Sequence, residues 1–198
     1  MMAQRKAYLL TIALAAVALW ACGTSASSHF YRLDSAATPN GAAPLQTAVM
    51  VGPVAVPAAV DRPEFVVQVA PNRVEVDEFN RWDAPLDDSI ARAVAGDLSV
   101  LLASPNVTTA PLADFNPAYG VTINVQRFES VKGETALVDA VWAVRSAPSG
   151  KTRSGRTIAR EAVQGEGFDA LAAAHSRALA KVSGDIAAAI RAEAGRNM

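Results

Sequence analysis

Apolar residues change their spacing several times along the chain, and each change marks an element. In 119-YGVTINVQRF-128, Tyr119, Val121, Ile123 and Val125 alternate with Gly120, Thr122, Asn124 and Gln126, the pattern of a strand with one dry and one wet face. The run 135-TALVDAVWAVR-145 is apolar on nearly both faces, which predicts a central strand beneath a helix. A long turn over 146–155 leads to a more polar partner, 156-RTIAREAVQGEG-167. Upstream, 64-EFVVQVAPNRVEVDEFNRW-82 reads as a hairpin turning at Pro71-Asn72, with Phe65, Val67 and Val69 on one face and Val74 and Val76 matching them on the return. The strand 47-TAVMVGPVAVP-57 changes apolar parity across Gly52 and Pro53, which a bulge or an edge position accommodates. A further short apolar cluster, 29-HFYRLD-34, reads as an edge strand.

Two segments switch to helical spacing. Between Ala84 and Ala103, Leu86, Ile90, Val94, Leu98 and Leu101 recur at three- and four-residue steps, with Asp83 as the expected cap, Pro85, Asp87 and Asp88 in the first turn, and Ser104-Pro105 as the stop. From Phe168 to Ala194, Phe168, Leu171, His175, Leu179, Val182, Ile186 and Ile190 form one stripe, with Arg177 and Lys181 opposite. Strands, helix, strands, helix without a repeat predict a single α+β domain: a mostly antiparallel sheet with both helices packed on one face.

The N-terminal region has a different character. Tyr8 to Ala21 contains one polar residue, Thr11, follows Arg5 and Lys6, and is too short to span a bilayer, so residues 1–21 read as a signal peptide. Leu19, Ala21, Cys22 and Gly23 resemble a bacterial lipobox, although Trp20 is large for its slot. Cys22, the single cysteine, is thus the expected site of lipidation and the new N-terminus. Gly23, where aspartate would signal inner-membrane retention, points to the inner leaflet of the outer membrane, facing the periplasm. Residues 22–45, rich in Ala, Ser, Thr, Pro and Gly, read as the lipidated terminus and a flexible tether, and residues 46–198 as the domain.

Cleavage removes two cations from a chain of net charge −1, leaving −3, so nothing suggests a nucleic-acid partner. With one cysteine, no intrachain disulfide is available and the core must hold the fold. Catalytic signals are weak. In 149-SGKT-152 the glycine of a phosphate loop is replaced by Arg145, and the segment joins strand to strand. His29 lies in the tether and His175 on an apolar stripe, where it reads as a packing residue and not as a ligand or base; no metal-ligand spacing occurs. There is no G-x-S-x-G elbow, and no serine has an evident partner histidine. The adjacent pairs Asp77-Glu78 and Asp87-Asp88 point to different sides and make poor acid/base pairs. No cofactor is implied. In 61-DRPEF-65 and 80-NRW-82 the arginines have Asp61 or Asp83 as structural partners and Trp82 can close the core; the alternative is a docking surface.

The lipobox, 31-YRL-33, 51-VGPVAVP-57, 61-DRP-63 and 81-RWDAPL-86, in this order, resemble the ABC-type transport auxiliary lipoproteins, the PqiC-like group. The resemblance implies an α+β, non-enzymatic periplasmic component of a system that moves lipids between the inner and outer membranes. Its partners would be a mammalian-cell-entry (MCE) protein and a permease or ATPase. Tyr31, Asp61, Arg62, Pro63, Arg81 and Trp82 carry over as signature or partner-contact residues without an assigned role. Edges near residue 31 or at 156–164 offer β-augmentation or self-association into a homo-oligomer. A lipid-binding module, holding an apolar ligand between sheet and helices, is the alternative function.

Overall fold

The computed structural model describes residues 27–110 and 114–196. Its spine is a long strand, β6 (Tyr119–Val131), paired antiparallel along its whole length with β7 (Thr135–Ser146), which pairs antiparallel in turn with β8 (Thr152–Ala162). On its other side β6 meets two separate groups of strands. Its first half pairs in parallel with β2 (Val49–Ala55), which carries the two-residue β5 (Val107–Thr108). Its far end meets β3 (Glu64–Ala70) at the single pair Gln68 and Val131, and β3 continues to β4 (Arg73–Trp82) and β1 (His29–Tyr31). The sheet therefore forks, and the β3–β4–β1 group forms an arm.

The α+β class and the two-helix, one-domain organisation agree with the sequence pattern, but the sheet is mixed, not mostly antiparallel: β1–β4, β2–β5, β2–β6 and β3–β6 are all parallel. Side-chain parity reports which face of a strand is dry. It carries no information about the direction of a neighbour that arrives by a long crossover.

Helix α1 (Leu86–Leu102) buries Leu86, Ile90, Val94, Leu98 and Leu101, and α2 (Gly167–Ala194) buries its predicted stripe against α1, β7 and β8. Asp83 does not cap α1. The preceding residue is Pro85, without a side-chain cap, and Asp83 is held instead by Arg32 at 2.6 Å. Ala103 takes the left-handed conformation, φ 50°, and closes the helix before Ser104 and Pro105. Arg177 and Lys181, on the outer side of α2, both hold Glu161 of β8. In β2 the ladder shifts register between Val51 and Val54, where Gly52–Pro53 is cis and Gly52 has φ +130°, so the parity break is a bulge.

The hairpin turns at Pro71-Asn72, yet Val74 and Val76 do not face the way their alternation suggests. Irregularities at both ends of the ladder set Val76 opposite Val66 and Val74 opposite Gln68, on the outer face, while Phe65 and Val67 point into the core. β8 begins at Thr152, four residues earlier than its polar sequence indicates. Each of β1, β5 and β8 has one strand neighbour among the described residues.

Candidate functional site

Cys22 lies outside the described residues. The signature residues that lie within them separate into three environments. Tyr31 and Trp82 enter an aromatic cluster: Trp82 stacks on Phe65 at 4.0 Å, Tyr31 meets Phe65 edge-on at 5.5 Å, and Phe168 touches both Tyr31 and Phe65. The Tyr31 hydroxyl donates to Asn80 Oδ1 at 2.7 Å, and burial, with Asp169 and Asp77 nearby, raises its pKa. Pro63 and Arg81 close the base of the hairpin: the Trp82 N–H donates to the Pro63 carbonyl at 2.7 Å, and Arg81 Nη2 donates to Glu64 Oε1 at 2.9 Å. The arginines expected to use Asp61 or Asp83 thus use Glu64 instead, with Arg62 3.9 Å from it. Asp61 and Arg62 are exposed on the loop between β2 and β3.

The second half of the expected tether is packed. Leu33 is buried, and Ser35 to Ala37 converge on Asp97 of α1, which accepts from the Ser35 hydroxyl (2.8 Å) and from the N–H groups of Ala36 and Ala37 (both 2.9 Å). Further along, Arg191 of α2 donates to the Ala43 carbonyl and the Leu45 N–H donates to the Leu102 carbonyl. Residues 33–45 therefore form a strap across the helix pair. Composition misreads them because small residues suit a flexible linker and also suit a close approach. A β-carbon on Gly96 would lie 2.9 Å from that of Ser35. One signal was available: Asp97 falls on the apolar stripe of α1, three residues after Val94 and four before Leu101, where an acid must find donors.

The outer face of the sheet, away from the helices, carries two features. On β7 Asp139 is buried beneath two arginines: Arg156 of β8 donates twice (2.8 and 2.7 Å) and Arg127 of β6 once (3.3 Å). The Arg156 hydrogen bonds, ahead of those from Arg127, hold the Asp139 carboxyl below its usual range despite its burial. Where the sheet forks, the arm and β6 leave a groove of about 390 Å³. Val60, Val66, Val74, Val76 and Phe128 line it, and Arg62, Arg73 and Arg127 stand at its margins.

The structure brings together one serine and histidine that the sequence does not associate. Ser130 Oγ lies 2.8 Å from His175 Nε2, and the imidazole stacks on Phe128 at 3.9 Å and 7°. Both residues are buried, and Nδ1 has no hydrogen-bond partner to orient the ring as a triad carboxylate would. Burial pushes the His175 pKa down to about 3, so the ring is neutral at ordinary pH. Its surroundings are those of a packing residue. Among the described residues, no group of three or more His, Cys, Asp or Glu side chains is placed to hold a metal ion, and no helix is long and apolar enough to cross a membrane.

The family model for the ABC-type transport auxiliary lipoprotein component matches residues 31–187, from Tyr31 on β1 into the last helix. The chain belongs to that family. As an ABC-type transport auxiliary lipoprotein component, it is similar in fold to two solved structures. One, the crystal structure of an uncharacterized protein, superposes with a TM-score of 0.68 at 20% identity, covering 83% of this chain and 99% of the other. The second is protein XCC0632 from Xanthomonas campestris, of the DUF330 family, with a TM-score of 0.66 at 20% identity, covering 81% and 93%. Among curated proteins, none matches the chain.

Proposed function

We propose that this auxiliary lipoprotein is the non-enzymatic, membrane-anchored subunit of an ABC-type transport system built around an MCE protein, moving lipids between the inner and outer membranes. Acyl chains on Cys22 hold it in the inner leaflet of the outer membrane, where the domain docks the MCE partner from the periplasmic side. The observation that carries this reading is the family match over residues 31–187, starting nine residues after an acylatable cysteine that ends an apolar leader. Tethering concentrates the domain at one bilayer, so a weak contact suffices to recruit the partner. Asp61 and Arg62, exposed on the loop before β3, and the strand edges β1 and β8 are the surfaces offered to it.

The test is made in the native host. Cys22→Ala is expected to leave the outer-membrane fraction while still being captured by the MCE protein of its own transport system. A Cys22→Ala chain that stays in the outer-membrane fraction, or an acylated chain that captures no MCE protein, contradicts the proposal.

The groove between the arm and β6 favours a second reading, a module that itself holds an apolar ligand. Its volume of about 390 Å³ falls within the usual range of ligand pockets. Native mass spectrometry decides: co-purified lipid that Val66→Gln or Val76→Gln displaces supports carriage, and an empty protein excludes it.

A further inference from the structure

We propose that the outer face of the β1–β4–β3 arm rests on the bilayer surface, so that the lipoprotein is oriented at the membrane as well as tethered to it. This rests on the acylation of Cys22 proposed above.

Large apolar side chains left exposed are concentrated on the arm. Phe30 of β1 is 65% exposed, and Val74, Val76 and Phe79 of β4 are 60%, 42% and 46% exposed. Strand register places Phe30, Val74 and Val76 on a common side. Tyr31 pairs with Trp82, which is buried, so the neighbouring pair Phe30 and Arg81 faces outward, while Phe79 is exposed in the irregular stretch of β4 between Asp77 and Arg81. Across the hairpin, Glu64 pairs with Arg81, and Val66, two residues on from Glu64, pairs with Val76. The same side thus runs from Phe30 at the sheet edge to Val74 at the hairpin tip. Single exposed apolar residues are ordinary, but a row of them on one face marks a contact surface.

The covalent tether identifies what that surface meets. Cys22 lies seven residues before His29, the first residue of β1, and an extended chain of that length reaches about 25 Å at most. Of the strands, β1 is the first after Cys22 along the chain, so the arm stays within that reach of the acyl chains. A bilayer is within reach of it at all times, whereas any protein partner must arrive. The chemistry of the face suits an interface: aromatic and aliphatic side chains for the acyl boundary, and arginines beside them for lipid phosphates. Among the described residues Arg73, at the hairpin turn, has no ion-pair partner, and Arg81 pairs with Glu64. Tethering supplies the local concentration, so this small apolar area suffices to bias orientation.

The experiment uses the lipidated protein in vesicles of phosphatidylethanolamine and phosphatidylglycerol. Acylation consumes the Cys22 thiol, so Phe79→Cys, Val76→Cys and, on β8, Ile158→Cys each present a single free thiol for a nitroxide label. All three positions are exposed, and labelling there spares the core. Labels at residues 79 and 76 are expected to be several-fold less accessible to an aqueous relaxation agent than the label at 158, and more accessible to oxygen dissolved in the lipid. Equal accessibility at all three positions overturns the proposal. Protection that appears only when the transport partners are added also overturns it and assigns the face to a protein. An intact mass lacking acyl chains, with the protein failing to sediment with vesicles, shows that the anchor itself has failed and removes the basis of both readings.

Discussion

Asp97 on α1 and Ser183 on α2 are 86 residues apart in sequence and joined by one hydrogen bond: the Ser183 hydroxyl donates to Asp97 Oδ2 at 2.9 Å. The other carboxylate oxygen takes the Ser35 hydroxyl and the N–H groups of Ala36 and Ala37. One buried acid thus fastens both helices and the strap together. Asp97→Ala removes four hydrogen bonds, the one to Ser183 buried and the three to the strap half-buried, and the expected cost is about 2–3 kcal/mol. Asp97→Asn keeps an acceptor and costs less. Urea denaturation orders the variants. Hydrogen exchange distinguishes mechanism, because residues 33–45 should lose protection in Asp97→Ala before the sheet does.

Gly155 on β8 faces Trp142 on β7, and a β-carbon added there would lie 2.3 Å from Cζ2 of the indole. The ring cannot retreat freely, since Trp142 Nε1 donates to Thr157 Oγ1 at 3.0 Å and Thr157 donates onward to Asp185 at 2.6 Å. Gly155→Ala should therefore destabilise by roughly 1–3 kcal/mol through overpacking. In a Trp142→Phe background the same change should cost clearly less. Equal costs in the two backgrounds would show that the indole is not the obstacle.

Much of the secondary structure was legible because its causes are local. The stripe of α2, the alternation of Tyr119 to Val125 and the turn at Pro71-Asn72 all appear where their spacing puts them. What escaped depends on long-range partners. Val74 and Val76 alternate correctly but face outward, because ladder irregularities near Phe65 and Gln68 reset which residues stand opposite. The strap was hidden by small residues, whose role appears only once Gly96 and Asp97 lie beneath them. Within the signature motifs, the sequence pointed to Trp82 as a core residue but could not separate Tyr31, which packs beside it, from Asp61 and Arg62, which meet solvent.

The buried carboxylate of Asp139 gives an ordering of variants. Arg156 engages it with two hydrogen bonds and Arg127 with one longer bond. Removing one partner leaves a charge in a site built for two, so Arg156→Ala should lower the thermal midpoint more than Arg127→Ala. Asp139→Asn in the Arg156→Ala background should recover part of the loss, because the uncompensated charge is gone. A calorimetric series in which neither substitution lowers the midpoint would show that the outer face does not depend on this cluster, and the reverse order would make Arg127 its main partner.

His175 supplies the pH dependence. Its pKa is about 3 in the folded chain against 6.5 ordinarily, because burial disfavours the charged ring. The unfolded chain consequently binds a proton that the folded chain refuses whenever the pH lies between these values. Stability is whole above pH 6.5 and falls as acid is added, by about 2 kcal/mol at pH 5, with the loss levelling off below pH 3. The depressed carboxylates Asp77, Asp139, Glu161 and Glu193 also favour folding only while ionised, but their losses begin only as the unfolded chain's carboxyls start to protonate, from about pH 5 downward. The interval from pH 6.5 to 5 therefore reports mainly on this imidazole. Urea unfolding at pH 8 and pH 5 should show the drop in the wild type. In His175→Phe, which keeps a ring against Phe128 and removes the titration, the two curves should nearly coincide. A variant that retains the full pH-dependent loss would place its source elsewhere in the chain.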